Sequence, residues 1–289
     1  MEHWDEVRTA YHVARCGTVS GAAEALGVHH ATVIRHIDAL EGRLGVKLFQ
    51  RHARGYTPTE AGEDLLRVAK ATDEQFSQLA GRIKGRGSEV TGELVVTALP
   101  EITPLLAPVL GAFQIEHPGV VVRLLASERV FRLEYGEAHV AVRAGSEAPG
   151  ELDNVVQRLT VLEVGLFGSC DYLERQGRPA SEAELMQHHF VTTDDTESRA
   201  PFAVWLRGHA PVEAMTFRAD DFRAQEQAIL AGAGLGFLPR AEALGNDALV
   251  EVLGHREDWD VPLWLVTHMD LHRTAKVQAL VQYLKEHFK

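Results

Sequence analysis

Between residues 29 and 57 the chain gathers four histidines, His29, His30, His36 and His52, and five basic residues, Arg35, Arg43, Lys47, Arg51 and Arg54. Only Asp38 and Glu41 oppose them. Neutral imidazole both donates and accepts hydrogen bonds, and charged imidazole only donates. A guanidinium can bridge the O6 and N7 acceptors of guanine or pair with phosphate. That set of groups suits hydrogen bonding to base edges together with charge pairing to a polyanion. His29, His30, Thr32, Arg35 and His36 are expected to contact bases and nearby phosphates, with Arg35 best suited to guanine. Arg51 and Arg54 are expected on the phosphate backbone or in the minor groove, where contacts orient a protein without reading sequence.

Catalytic chemistry finds little footing. Gly168-Ser169-Cys170 lacks the second glycine of a nucleophile elbow. Gly232-x-Gly234-x-Gly236 misses the dinucleotide fingerprint, whose third glycine would fall at Phe237, and it reads better as a helix end and tight turn. His29-His30 and His188-His189 are adjacent and point apart, and His268 and His272 lack a third ligand. Cys16 and Cys170 lie far apart without metal-ligand spacing, which fits a reducing cytoplasm. No enzyme activity, no metal and no cofactor is expected.

The elements that must position these groups follow from apolar spacing. Ser20 is suited to cap a short helix in which Ala22, Ala23 and Leu26 share a face, and Gly27 supplies a permissive turn. Val33, Ile37, Leu40 and Leu44 recur at spacings of four, three and four, the buried stripe of a second helix. The polar face opposite would enter the major groove. A preceding helix spans 3–17, with Trp4, Val7, Val13 and Ala14 facing one way. A hairpin follows: a strand over Lys47 to Gln50, a turn through 52–55, then Tyr56-Thr57. Thr59 caps a long helix running to Arg86, about 40 Å at 1.5 Å per residue. Along it Leu65, Ala69, Thr72, Phe76, Leu79 and Ile83 form a heptad seam that calls for a partner helix, either from a second copy or from the chain's own C-terminal part.

Gly85-Arg86-Gly87-Ser88 and Gly92 break that helix, and strands and helices then alternate to the end. Strands are expected at 94–98, 120–126, 139–143, 162–167, 190–193, 235–238 and 263–267. Helices are expected at 104–113, 129–135, 171–176, 221–231 and 272–288. The chain carries a net charge of −12, but unevenly. Residues 1–90 hold 12 basic and 12 acidic residues, and the remainder 17 and 29. A basic patch on a neutral domain, tethered to an acidic one, is a workable nucleic-acid-binding layout. The N-terminus lacks the basic start and unbroken apolar core of a signal peptide, and no apolar run reaches a membrane span.

Leu40-Glu41, Leu44-Gly45, Leu48-Phe49, Arg51 and Thr59-Glu60-Ala61-Gly62 together resemble the DNA-binding domain of the LysR-type transcriptional regulators. The chain departs in the second helix, where His29-His30 stand at positions the family often gives to Ser or Thr and Gln. Gly92-x-Leu94, Phe113 with His117-Pro118, Gly136-Glu137-Ala138 and Ala231-Gly232-x-Gly234-x-Gly236 before Leu238-Pro239 resemble the family's effector domain. His139 departs there, where the family usually has Asp. The resemblance implies an α/β protein with an N-terminal all-α winged helix-turn-helix over 1–58 and a linker or dimerisation helix over 59–87. It further implies an effector domain of periplasmic-binding-protein type over 92–289. Its two α/β subdomains would take 92–161 with 266–289, and 162–265.

The cleft between such subdomains is where α/β folds bind ligands. Loop ends that would face it include Pro100, Glu101, Ile102, Thr103, Ser127, Glu128, Arg143, Thr192, Thr193 and Asp221. An anionic effector and a cationic or neutral polar one both stay open, because Glu101 and Glu128 put negative charge beside Thr103 and Ser127. The partners implied are double-stranded promoter DNA, a small-molecule effector, further copies in a homodimer or homotetramer, and RNA polymerase if the protein activates. A membrane is not among them. The alternative is a soluble small-molecule binding protein whose N-terminal part mediates protein contacts only.

Overall fold

A computed structural model describes residues 4–52, 55–83, 90–150 and 152–288. The chain forms two compact units, residues 1–89 with 131–139, and residues 90–130 with 140–289. The segment 131–139, expected in the second domain, carries no sheet pairing and contributes one 3-10 turn, Leu133–Tyr135. The longer helix expected over 129–135 does not form, and Val130 is exposed.

The first unit is built from α1 (Trp4–Cys16), α2 (Val19–Leu26), α3 (His30–Leu44), β1 (Phe49–His52), β2 (Gly55–Pro58) and α4 (Glu60–Ile83). Its core is the set the spacing marks: Val7, Ala10, Val13, Ala22, Ala23, Val33, Ile37 and Leu40. Burying each of the larger aliphatic side chains contributes about 1.5–3 kcal/mol. The cap of α2 is Thr18 and not Ser20; Thr18 is extended, and its hydroxyl accepts from Gly21 N at 3.1 Å. Ser20 sits one residue inside the helix. Gly27 ends α2 at φ 65°, a left-handed conformation that a side chain would strain. Leu44, expected in the stripe, is 48% exposed, because α3 stops there and the chain turns away at Gly45.

The first strand of the hairpin starts two residues later than expected, while the second includes the expected Tyr56-Thr57. β1 and β2 pair antiparallel from Phe49–Pro58 to His52–Gly55. Lys47 and Leu48 instead form the run-in to β1, held by side chains from α3 and by Thr59. Thr59 does cap α4: its hydroxyl accepts from Gly62 N at 3.2 Å and donates to Lys47 O at 2.7 Å. Gly62 lies so close to this run-in that an added Cβ would stand 2.0 Å from Leu48 O. Any side chain there would push the hairpin off α4.

The expected seam of α4 is divided. Leu65 and Ala69 pack on the unit's own core, Ala69 being 3% exposed, so they are not free for a second copy. Thr72 spends its hydroxyl on Val68 O at 2.9 Å. Phe76 is 52% exposed and meets Trp4 edge-on at 5.5 Å. The side chains of Leu79 and Ile83, the hinge at 85–88, and Arg54 lie outside the described residues.

The second unit runs β3 (Gly92–Ala98), α5 (Thr103–Glu116), β4 (Val120–Ala126), β5 (Val140–Ala144), β6 (Asn154–Leu162), β7 (Val164–Ser169) and α6 (Cys170–Gln176). It continues with β8 (Val191–Thr193), α7 (Pro201–His209), β9 (Phe217–Ala219), α8 (Phe222–Leu230), β10 (Gly236–Pro239), α9 (Arg240–Ala243) and β11 (Leu249–Val252). It closes with β12 (Val261–His268), α10 (Met269–His272) and α11 (Ala275–His287). The first sheet has the order β4-β3-β5-β12-β6, with β3 parallel to β4 and β5, and β12 antiparallel to β5 and β6. Val277, Leu280, Val281 and Leu284 of α11 and Leu106, Val109, Leu110 and Phe113 of α5 share its core. The second sheet has the order β10-β7-β11, and the parallel pair β8-β9 joins it through the bridge from Phe190 to Leu235. Trp205, Phe237 and Trp259 meet edge-on in the core of this lobe, at 5.0 Å for both contacts of Trp259.

The chain leaves the first sheet after Leu162 and returns at Val261. Residues 261–265, expected in the second subdomain, are therefore part of the first, because β12 pairs with β6 along its whole length. Asp260 ties the two crossings, accepting from Val164 N at 3.2 Å.

Candidate functional site

Two groups of residues can be built upward from these elements, one in each unit. In the first, the apolar side of α3 is buried and its other side faces out. His29 caps α3 through extended backbone without a side-chain bond, and His29, His30 and Arg35 are exposed, with Thr32 half-buried. Among the described residues Arg35 forms no ion pair, so its guanidinium is available to an acceptor from outside.

His36 is different. Its Nδ1 lies 2.9 Å from Thr9 Oγ1, and that hydroxyl already donates to Asp5 O at 2.6 Å. The imidazole therefore donates to Thr9 through Nδ1, which ties α3 to α1. Arg51 is redirected in the same way. Its guanidinium pairs with Asp38 at 2.5 Å and Glu41 at 3.0 Å and lies over the Tyr56 ring at 5.4 Å. Two carboxylates one helical turn apart thus hold it internally at contact distance.

Glu41 is the residue that spacing arguments passed over as a site. It stands four residues after Ile37, on the buried stripe of α3, and a carboxylate on an apolar stripe is the signal that could have singled it out. It is 4% exposed. Burial alone would push its carboxyl up, but hydrogen bonds from Lys47, Leu48 and Phe49 outweigh that and hold it below its ordinary 4.5.

In the second unit the expected cleft residues stand at strand and helix ends. Pro100–Ile102 make a 3-10 turn after β3. Ile102 is 1% exposed and belongs to the first lobe's core, so it lines nothing. Thr103 donates to Pro100 O at 2.7 Å, Ser127 Oγ accepts from Arg129 N at 3.1 Å, and Thr193 Oγ1 accepts from Asp195 N at 3.1 Å. Asp221 caps α8 by accepting from Ala224 N at 2.7 Å. Thr192 and Arg143 are half-buried, Arg143 on β5 opposite Trp264. Much of the hydroxyl chemistry is thus used on local backbone.

Glu101 stands out. Among the described residues its Oε2 is buried without a hydrogen-bond partner. Burial pushes its carboxyl above the ordinary 4.5 against the pull of its own backbone N–H, and the charges of Glu128 and Asp221 push it further. The first lobe supplies Glu101 and Glu128 and the second supplies Asp221, so negative charge from both lobes converges here.

Among the described residues no helix is long and apolar enough to cross a membrane, and no group of three or more His, Cys, Asp or Glu is placed to hold a metal. Residues 4–63 match the bacterial regulatory helix-turn-helix domain of the lysR family, and residues 87–289 match the LysR substrate binding domain. The chain is 26% identical over 297 residues to a helix-turn-helix-type transcriptional repressor of Pseudomonas aeruginosa, covering 100% of this chain and 93% of the relative. It is 27% identical over 241 residues to the transcriptional activator IlvY of Salmonella typhimurium, covering 81% of each. Among solved structures it resembles CrgA of Neisseria meningitidis, a LysR-type regulator, at 23% identity and a TM-score of 0.61, covering 98% of both chains. It resembles full-length OxyR of Pseudomonas aeruginosa at 16% identity and a TM-score of 0.70, covering 97% and 93%. With both matched segments in their expected order, the chain belongs to the LysR family of transcriptional regulators.

Proposed function

We propose that this regulator reads a promoter site with the exposed face of α3 and answers to a small molecule held between the lobes of its second unit. Residues 1–58 serve as the winged reader, 59–87 as the linking and dimerisation helix, and 92–289 as the effector domain. His29, His30, Thr32 and Arg35 make the base and near-phosphate contacts, with Arg35 the candidate for guanine. Arg54 serves the phosphate backbone. The protein works in the cytoplasm as a homodimer or homotetramer, with Phe76 on the seam between copies, and it contacts RNA polymerase if it activates. Its regulatory role does not call for catalysis.

The observation that carries the reading is the split of α3 into a buried apolar stripe and an exposed face of His29, His30 and Arg35. Binding to DNA should weaken steeply with salt, as neutralised phosphates release counterions. A gel shift over the chain's own upstream region decides it; the absence of any salt-sensitive, sequence-preferring complex rejects the reading.

For the effector, the convergence of Glu101, Glu128 and Asp221 favours a cationic or neutral polar molecule over a carboxylate. An incoming anion would meet three carboxyl groups, and an amine would relieve them. A thermal-shift panel of amines, polar neutrals and carboxylates separates the classes. A ligand at 100 times its dissociation constant adds about 2.7 kcal/mol to stability. Stabilisation by carboxylates alone rejects the cationic reading.

A further inference from the structure

We infer that Glu41 is the positioning residue of the DNA reader: its buried carboxylate holds the wing in register with α3, and Arg51 and Lys47 are its charge partners, not phosphate contacts. The inference rests on the DNA reading proposed above and deepens it.

Glu41 lies on α3 six residues beyond Arg35, so it belongs to the same rigid helix as the base-facing side chains. Its Oε1 accepts from Leu48 N at 3.0 Å and Phe49 N at 3.2 Å. Its Oε2 accepts from Lys47 Nζ at 2.6 Å and from the Arg51 guanidinium at 3.0 Å. An ionised carboxylate offers about four acceptor sites, and all are taken. Both backbone donors belong to buried residues at the base of the wing, Leu48 and Phe49. The same stretch is gripped from the other side, where Thr59 N donates to Leu48 O at 2.9 Å and the Thr59 hydroxyl to Lys47 O. The wing is therefore bolted to α3 by Glu41 and to α4 by Thr59.

Charge separates this role from a phosphate contact. A reader gains affinity from uncompensated cations, and negative charge near phosphate opposes it. Here Asp38 and Glu41 neutralise Arg51 and Lys47 instead of leaving them to DNA. Of the four charged groups only the Glu41 carboxylate is buried; Lys47 and Arg51 reach it from solvent, and Asp38 is exposed. A buried charge is seldom needed for stability alone, since apolar residues of similar volume often serve as well. What it supplies that apolar packing lacks is direction: four donors converge on two oxygens and fix where the wing projects.

The test measures affinity against salt for the full chain, using as probe a duplex selected by the wild type from a randomised pool. Glu41→Gln removes a negative charge, so simple electrostatics expects equal or tighter binding. The positioning role expects at least about tenfold weaker binding. Arg51→Ala should weaken binding while leaving the slope of log K against log salt unchanged, whereas loss of a phosphate contact lowers it by about 0.9 per protomer. Arg51→Lys, which returns one donor to the carboxylates, should restore part of the affinity. Glu41→Gln binding as tightly as the wild type, or a slope drop of about 0.9 in Arg51→Ala, overturns the inference. Circular dichroism checks that Glu41→Gln is folded; if it is not, the Arg51→Ala slope decides alone. A wild type that selects no duplex overturns the DNA reading itself, whereas a binding wild type with the contrary variants overturns the positioning role only.

Discussion

Glu41 and Glu101 are both glutamates drawn out of solvent, and their surroundings drive them in opposite directions. Glu41 meets two backbone N–H groups and two cationic side chains, and its carboxyl is held below 4.5. Glu101 keeps one buried oxygen with no donor among the described residues, beside further carboxylates, and its carboxyl is pushed above 4.5. The lesson is that burial by itself does not decide what an acid is for. A buried acid surrounded by donors is a structural bolt; one surrounded by acids and short of a donor suits a ligand that brings the missing hydrogen bonds.

The largest break in this comparison should come from Glu41→Ala. It orphans two buried backbone N–H groups, which should cost the first unit about 3 kcal/mol, while Arg51 keeps Asp38 and Lys47 keeps solvent. Hydrogen exchange of the amides of Leu48 and Phe49 in the full chain checks this; unchanged protection would remove the bolt. Arg35→Ala should then lose about 1–3 kcal/mol of discrimination at one guanine, without a change in stability. Competition between matched and substituted duplexes measures that, and equal losses on every duplex would reassign Arg35 to phosphate.

Glu101→Gln should do the opposite of a Glu41 change. With the charge gone, the unpartnered oxygen is cheaper to bury, and stability at neutral pH should rise by up to about 1 kcal/mol. A lowered melting temperature would show that the carboxylate has a partner it depends on. The smallest effects come from pH, and their signs oppose. Glu41, lowered when folded, contributes stability that is present above 4.5 and is lost as pH falls through its folded value. Glu101, raised when folded, contributes stability that is full below 4.5 and is lost as pH rises through its folded value. Subtracting the urea-melt profile of each Gln variant from that of the wild type should give curves of opposite slope. Parallel curves would dissolve the distinction.

Much of the first unit was legible beforehand because its helices repeat a simple rule. Val33, Ile37 and Leu40 are buried where 3.6-residue spacing demands, and Gly27 turns where a side chain would strain. Errors came where a neighbour in space overrules a neighbour in sequence. Thr18, one residue before the helix, wins the cap from Ser20 because its extended backbone aims the hydroxyl at Gly21 N. Leu65 and Ala69 pack on the first unit's own core, since a helix stripe does not say which surface it will cover. In the second unit the α/β alternation is readable, yet β6 has no local signature and the start of β12 belongs to the first lobe. Pairing between strands a hundred residues apart leaves no local mark.

Residue types and spacing by themselves determined the helix-turn-helix, the α/β lobes, and the surface on which His29, His30 and Arg35 stand, because those depend on periodic burial along one element. Only the tertiary structure decided that His36 serves Thr9, that Arg51 turns back onto Asp38 and Glu41, and that Glu101 shares its surroundings with Glu128 and Asp221. Those outcomes depend on distances between elements, and charges and hydrogen bonds are settled by which partner lies within a few ångströms.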